Sequence, residues 1–439
     1  MSRVVVVGGG LAGLTVAYWV AQAGAEVSLL EASPTLGGNC RTVRLEGVSL
    51  ELGDGFFLSS PGTLTALCGQ LGLPPAPWPS LPSIVRQGGR DWALPLGLNP
   101  STGFGLYRIT ELPFSRATRW RLRTERFVGR TVKNESLGTF LRRRLGEEVW
   151  PVLKPYLEAW LGGPAEEVSV RLALGKLLEL EGQGGLLAAS RQVSHDGRLH
   201  LPSGMGSLIE ALRQELQARA HLLTQQPAWA ISRGVGRWQV HLREGRLEAE
   251  AVVVALPAPQ AAKLLRPSAP QLTALLNHFP HHPSAKVFLL YPQEAVSAEP
   301  IEYFFARGEG YACTALRLLQ AGPGLGLARA EFLGQTAHLG EAELARLAQQ
   351  DLARRLQTPV RPLAAWVFRQ PASRPQFGLQ HTRWKDELER TLLYAPGLFF
   401  TGSYLAGPGL ASLVEHGRQT AQRVLDFLAL SVSQDNQTV

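Results

Sequence analysis

Three glycines and an acid near the amino terminus have the types and spacing for ligand chemistry. Gly8, Gly10 and Gly13 form a G-x-G-x-x-G turn, and Glu31 follows it. The first glycine lets the chain turn sharply, the second lets backbone approach a pyrophosphate, and the third allows close helix–sheet packing. A helix beginning there offers unpaired N–H groups and the positive end of its dipole. A carboxylate closing the next strand can accept from ribose hydroxyls. With Leu11 and Ala12 on the turn and Ala32 beside the acid, these residues are the first candidate dinucleotide contacts.

The elements that must position them are legible. Arg3–Val7 is short, β-branched and continuous, the pattern of a fully buried parallel strand. Residues 14–23 have helical periodicity and stop at Gly24, and Glu26–Leu30 reads as a second strand ending on Glu31. Gly37 and Gly38 come soon after, then Gly53 and Asp54 in an E-L-G-D-G turn, and they suggest a second backbone approach to the same ligand. At the other end, a buried strand stops at Gly402, and Pro408-Gly409 opens a helix over about 410–430. The N–H groups of Gly409, Leu410 and Ala411 could face a developing negative charge, although an ordinary tight helix entry explains the turn taken alone. Between these ends, 237–243, 247–250 and 251–256 read as a β-meander, preceded by a short strand at 228–231.

Length and composition bound the rest. The 439 residues correspond to about three domain-sized units, and 45% hydrophobic against 18% charged residues excludes a disordered or fibrous chain. Cys40, Cys68 and Cys313 are widely spaced, so no disulfide framework is expected and a reducing, cytoplasmic setting fits. No window holds about 18 uninterrupted apolar residues, so no spanning helix is expected. The net charge is +8, and the positive residues are almost wholly arginine. Arg116, Arg119, Arg121, Arg123, Arg126 and Arg130 interleave with Trp120, Leu122, Phe127 and Val128. Segment 115–130 is therefore a solvated face, or else a contact with an anionic ligand or, peripherally, with an anionic membrane surface. No nucleic-acid-binding module accompanies it, so nucleic acid is not taken as a partner. His278, His281 and His282 cluster without an acidic or Cys partner nearby in sequence, and no metal site is assigned.

The opening block resembles the amine-oxidase-like flavoprotein superfamily, although Asn39 stands where many of its members carry Arg. Further segments, in the same order along the chain, resemble the protoporphyrinogen/coproporphyrinogen III oxidases. They are NESLGTFLRRRLGEEV from Asn134, LPSGMGSL from Leu201, RQPASRPQFGLQH from Arg369 and GLFFTGSYLAGPGLASLVEHG from Gly397. Departures include Ser403-Tyr404, Ser412 and the 158–164 loop, which in that family lies toward the substrate.

The resemblance implies an α/β fold with a Rossmann-like FAD-binding domain built from discontinuous segments, 1–75, 200–265 and 385–439. A helical insertion spans 76–199, and a strand-rich substrate domain spans 266–384. FAD is the implied cofactor, with Ala228 near adenine. The implied reaction is oxidation of a porphyrinogen in haem biosynthesis, with a tetrapyrrole substrate and dioxygen as acceptor. Arg86 and Arg90 are the candidates for carboxylate contacts, with Phe56, Phe57, Phe304 and Phe305 as walls for a flat substrate. Catalytic residues stay unassigned. An amine or polyene oxidase of the same superfamily, a FAD- or porphyrin-binding protein without turnover, and a homo-oligomer all remain open.

Overall fold

In a computed structural model of the chain, which describes residues 3–130, 134–295 and 299–435, the glycine turn lies at the centre of a five-stranded parallel sheet. Strand β1 (Arg3–Val7) runs into helix α1 (Leu11–Gln22), which returns to strand β2 (Glu26–Leu30) beside it. On its other side β1 pairs with Ala251–Val254, and Leu398–Phe400 and Ala220–Leu223 form the edges. Val4–Val7 are all but inaccessible because layers cover both faces of the sheet. The sheet thus gathers strands from all three segments expected to form the cofactor domain.

The C-terminal helix, Leu410–Asp435, crosses α1 closely. A Cβ on Gly417 would stand 2.7 Å from Thr15 Cγ2, so glycine permits the approach. The meander separates into a three-stranded antiparallel sheet, Ala230–Arg233, Trp238–His241 and Arg246–Ala249, followed by the parallel strand Ala251–Val254.

A second sheet of seven strands lies in the other lobe. Its long members are β3 (His281–Pro292) and β4 (Ala364–Pro375), paired antiparallel. Two strands come from the segment expected to be a helical insertion. Ser83–Gln87 runs parallel to Ile301–Phe305, and Gly88-Gly89, both at positive φ, turn the chain into Arg90–Ala93. The insertion is helical only beyond that hairpin. There α2 (Val149–Leu161) and its neighbours close a core around the fully buried Arg144–Glu125 pair.

Candidate active site

At the carboxyl ends of the parallel strands lies a cavity of about 840 Å³. That is toward the upper end of the ~300–1,000 Å³ usual for small-molecule sites. Its floor is backbone. Gly8 adopts φ +113°, and a Cβ there would fall 2.5 Å from the Ala255 carbonyl. A Cβ on Gly13 would fall 1.9 Å from the Gly8 carbonyl, so this glycine lets the helix close on the turn. Around Gly10 and Gly409, by contrast, a Cβ would meet nothing within 4 Å. Glu31 is pinned at the rim. Its two carboxylate oxygens accept from the N–H groups of Gly9 and Ser33, each at 2.8 Å. The paired-glycine segment is strapped to the turn by the Gly37 N–H, which donates to the Gly9 carbonyl at 2.7 Å.

A narrower cavity of about 170 Å³ adjoins it, and Asn39, Cys40, Gln370, Ser403, Leu410 and Leu413 border both. Trp160, Leu161, Val168 and Phe377 give it apolar walls, and Asp54, Lys286 and Arg374 bring charge to it. Lys286 is buried, and its ammonium donates to the carbonyls of Leu52 at 2.6 Å and Gly53 at 3.2 Å. Burial, reinforced by repulsion from Arg329, brings the Lys286 pKa down to about 7. Arg374 donates to the Trp160 carbonyl at 2.8 Å and to the Asp54 carboxylate.

Residues 11–425 match the family of flavin containing amine oxidoreductases. The chain belongs to that family. It is 26% identical to the coproporphyrinogen III oxidase of Bacillus subtilis, with 97% of this chain and 98% of that one covered. To human protoporphyrinogen oxidase it is 29% identical, with 96% and 98% covered. Among solved structures, a provisionally named protoporphyrinogen oxidase from Exiguobacterium sp. 255-15 superposes with a TM-score of 0.85 at 23% identity, over 96% and 98% of the two chains.

A flavin amine oxidoreductase uses FAD, and the wide cavity fits it. The open space at Gly10 is a cradle that a side chain would fill, beside a helix N-terminus suited to a pyrophosphate. Of the residues expected from the sequence, Gly8, Gly10, Leu11, Ala12, Glu31, Ala32, Gly37, Gly38, Ala228 and Gly402 border this cavity. Gly53, Asp54 and Gly409 border the narrow one, and Leu410 borders both. Gly13 lies behind the turn and Ala411 in the core, 2% exposed.

The expected substrate residues are not brought to either cavity. Arg86 pairs with Asp91 at 3.2 Å and Glu309 at 3.4 Å on the hairpin, and Arg90 stacks on Trp92. Phe57 and Phe304 are each 2% exposed and belong to two different cores. Phe305 stacks on Tyr311, and Phe56 packs at a tilt against Trp160 and Trp78. The composition supplied aromatics and arginines, but the face each strand buries directs them elsewhere.

Sequence reasoning missed Trp160, Lys286 and Arg374 at the narrow cavity, and Lys263 and Arg369 at the wide one. The altered 158–164 loop and the 369–381 segment drew attention to the neighbourhoods of Trp160, Arg369 and Arg374, but gave those residues no role. His281 Nδ1–H donates to the Phe279 carbonyl at 2.9 Å, and His278 stacks on Trp384. Among the described residues no His, Cys, Asp and Glu group is arranged to hold a metal, and no helix is long and apolar enough to cross a membrane.

Proposed function

We propose that the protein oxidises a porphyrinogen, coproporphyrinogen III or protoporphyrinogen IX, to the porphyrin, with dioxygen as the final electron acceptor. The observation that carries this reading is an apolar-walled cavity opening directly on the cofactor cavity, in a chain related over nearly its whole length to porphyrinogen oxidases. Bound FAD supplies a two-electron oxidant. The protein's own part is to bind, orient and keep water away.

The glycine turn, the α1 N-terminus and Glu31 would hold the dinucleotide end, and Lys263 and Arg369 add positive charge along that cavity. Gly409 and Leu410 present the start of the C-terminal helix where the two cavities meet. Trp160 and Phe377 would flank a flat substrate. Arg374 on β4 and Gln376 just after it donate to the Trp160 and Pro164 carbonyls and so tie the turn after α2 to that strand.

Anaerobic titration of the flavin-loaded protein with each porphyrinogen tests the reading. Bleaching by one of them is expected. Bleaching only by amines or polyenes, or ligand binding without bleaching, overturns it.

Segment 115–130 is the proposed contact with an anionic membrane surface, from the cytoplasmic side. Trp120 and Phe127 are 70% and 73% exposed there, among exposed arginines 116, 119, 123 and 126. Co-flotation with anionic vesicles, lost in Trp120→Ser/Phe127→Ser, is the expected result. Equal flotation of the double variant would remove the segment from that role.

A further inference from the structure

Among the described residues Asp54 is the only acidic one bordering the narrow cavity, and its surroundings fix it from two sides. One carboxylate oxygen takes the Arg374 guanidinium. That guanidinium is itself held by the Trp160 carbonyl. A Cβ on Gly162 would fall 2.1 Å from Arg374 Cδ, so the turn after α2 closes over the arginine stem only as glycine. From the other side, Lys286 grips the Leu52 and Gly53 carbonyls and so pins the backbone entering Asp54. The Asp54 side chain is nonetheless 35% exposed. Among the described residues no hydrogen bond reaches its second oxygen, Oδ2. The result is a rigid anion with one oxygen committed and the other available, among apolar walls beside the cofactor cavity.

We propose that Asp54 is a catalytic residue whose open oxygen accepts from substrate pyrrole N–H groups and stabilises the positive charge that oxidation creates on the ring. This rests on the porphyrinogen reading above. Removing a hydride, one proton with two electrons, from a carbon bridging two pyrroles breaks that C–H bond, and the flavin is the two-electron acceptor. A cation delocalised over both pyrroles is left behind. Loss of an N–H proton to water then gives the neutral, more conjugated product. A preorganised charge aimed at charge that develops in the transition state acts most strongly where water is excluded. Burial alone would raise the Asp54 pKa, but the positive charges of Arg374, Lys286 and Arg329 outweigh it and hold the carboxyl well below its usual range. So weak a base suits electrostatic stabilisation better than proton removal. It also moves Asp54 from the cofactor contacts expected of the sequence to the substrate side.

The test compares flavin-loaded wild type with Asp54→Asn, which keeps the shape and removes the charge. Anaerobic flavin reduction by the porphyrinogen should slow about 10²–10³-fold, the usual effect of deleting one preorganised group. KM should move by less than about threefold, because the interaction is made mainly in the transition state. Two probes separate charge stabilisation from a structural role. A protonated dipyrrin, a planar two-pyrrole cation, should bind the variant at least about tenfold more weakly, while neutral dipyrromethane binds within about twofold of wild type. Equal losses for the two probes, or no loss for either, would leave Asp54 as a partner of Arg374 and overturn the proposal. If Asp54→Asn loses its flavin or fails to fold, wild type decides, because equal affinity for the cation and the neutral probe also overturns it. Wild-type flavin that neither porphyrinogen bleaches would instead sink the porphyrinogen reading, and the probe comparison would still judge Asp54.

Discussion

The two adjoining cavities are built in opposite ways. The wide one is shaped by backbone. Glycines at 8, 10, 37, 38 and 402 border it, and the contacts that set the floor run between N–H groups and carbonyls. The narrow one is shaped by side chains that three parts of the chain contribute: Asp54 from the cofactor side, Trp160 from the end of α2, and Lys286 and Arg374 from β3 and β4. A backbone-built site tolerates many side chains nearby but no added Cβ at its turn. A side-chain-built site depends on each charged member, and those members can change while the fold persists. One scaffold can thus keep its cofactor and vary its substrate.

The largest effect expected from this contrast is at the turn. Gly13→Val places a branched side chain where even a Cβ would lie 1.9 Å from the Gly8 carbonyl. Protein that purifies colourless, with flavin absent from its absorbance spectrum, is the expected outcome. A normally yellow variant would show that the turn has more freedom than a backbone-built floor allows.

Acid probes the same side without mutation. His416, on the C-terminal helix, lies 3.0 Å from Thr401 Oγ1, and burial, with Arg423 and Lys385 adding repulsion, lowers its pKa to about 4. The unfolded chain takes up this proton near pH 6.5 and the folded chain only near 4, so stability is full above 6.5 and falls as pH drops between these values. The shift corresponds to about 3 kcal/mol. Urea unfolding at pH 7 and pH 4.5 should show much of that loss, and His416→Gln should flatten the pH slope. An unchanged slope in the variant would move the acid sensitivity to other groups.

Arg374→Met sharpens the contrast from the other side. It leaves Asp54 without its partner and frees the Trp160 carbonyl, a cost of about 2 kcal/mol for hydrogen bonds of a charged group. Flavin content should stay at the wild-type level, because Arg374 borders only the narrow cavity. Thermal unfolding with flavin quantification checks both halves. Parallel loss of flavin would mean that the two cavities are one mechanical unit.

The same contrast explains what could be read from the sequence. The strand, glycine turn, helix and acid follow one another within 31 residues, so local pattern located the wide cavity's floor, and Pro408-Gly409 marked the start of the C-terminal helix in the same way. Lys286 sits in an ordinary-looking strand and Arg374 in a segment marked only by resemblance, and nothing near either in sequence announces Asp54. Only the antiparallel pairing of β3 with β4 and the close approach of Gly162 bring them together. The hairpin at 83–93 was hidden for a related reason. Its partner strand is Ile301–Phe305, and one buried residue, Val85, between the half-buried Ile84 and Arg86 is a weak alternation signal. Phe57 and Phe304 show the converse limit, since an aromatic in a short strand does not reveal whether it faces a cavity or a core.

The smallest effect is expected at Arg86, the residue that the sequence made the leading carboxylate contact. Its guanidinium lies between Asp91 and Glu309, about one-third exposed, on a hairpin that borders neither cavity. Partly exposed ion pairs of this kind contribute about 0–1 kcal/mol, so Arg86→Ala should leave the unfolding midpoint nearly unchanged. For the same reason KM for a porphyrinogen should move by less than about twofold, since charge already neutralised by two carboxylates attracts a third one weakly. A KM raised severalfold at constant kcat would mean that the substrate reaches past Trp160 to the hairpin. The narrow cavity would then be only the inner end of a longer slot, and its outer end would also be built from side chains.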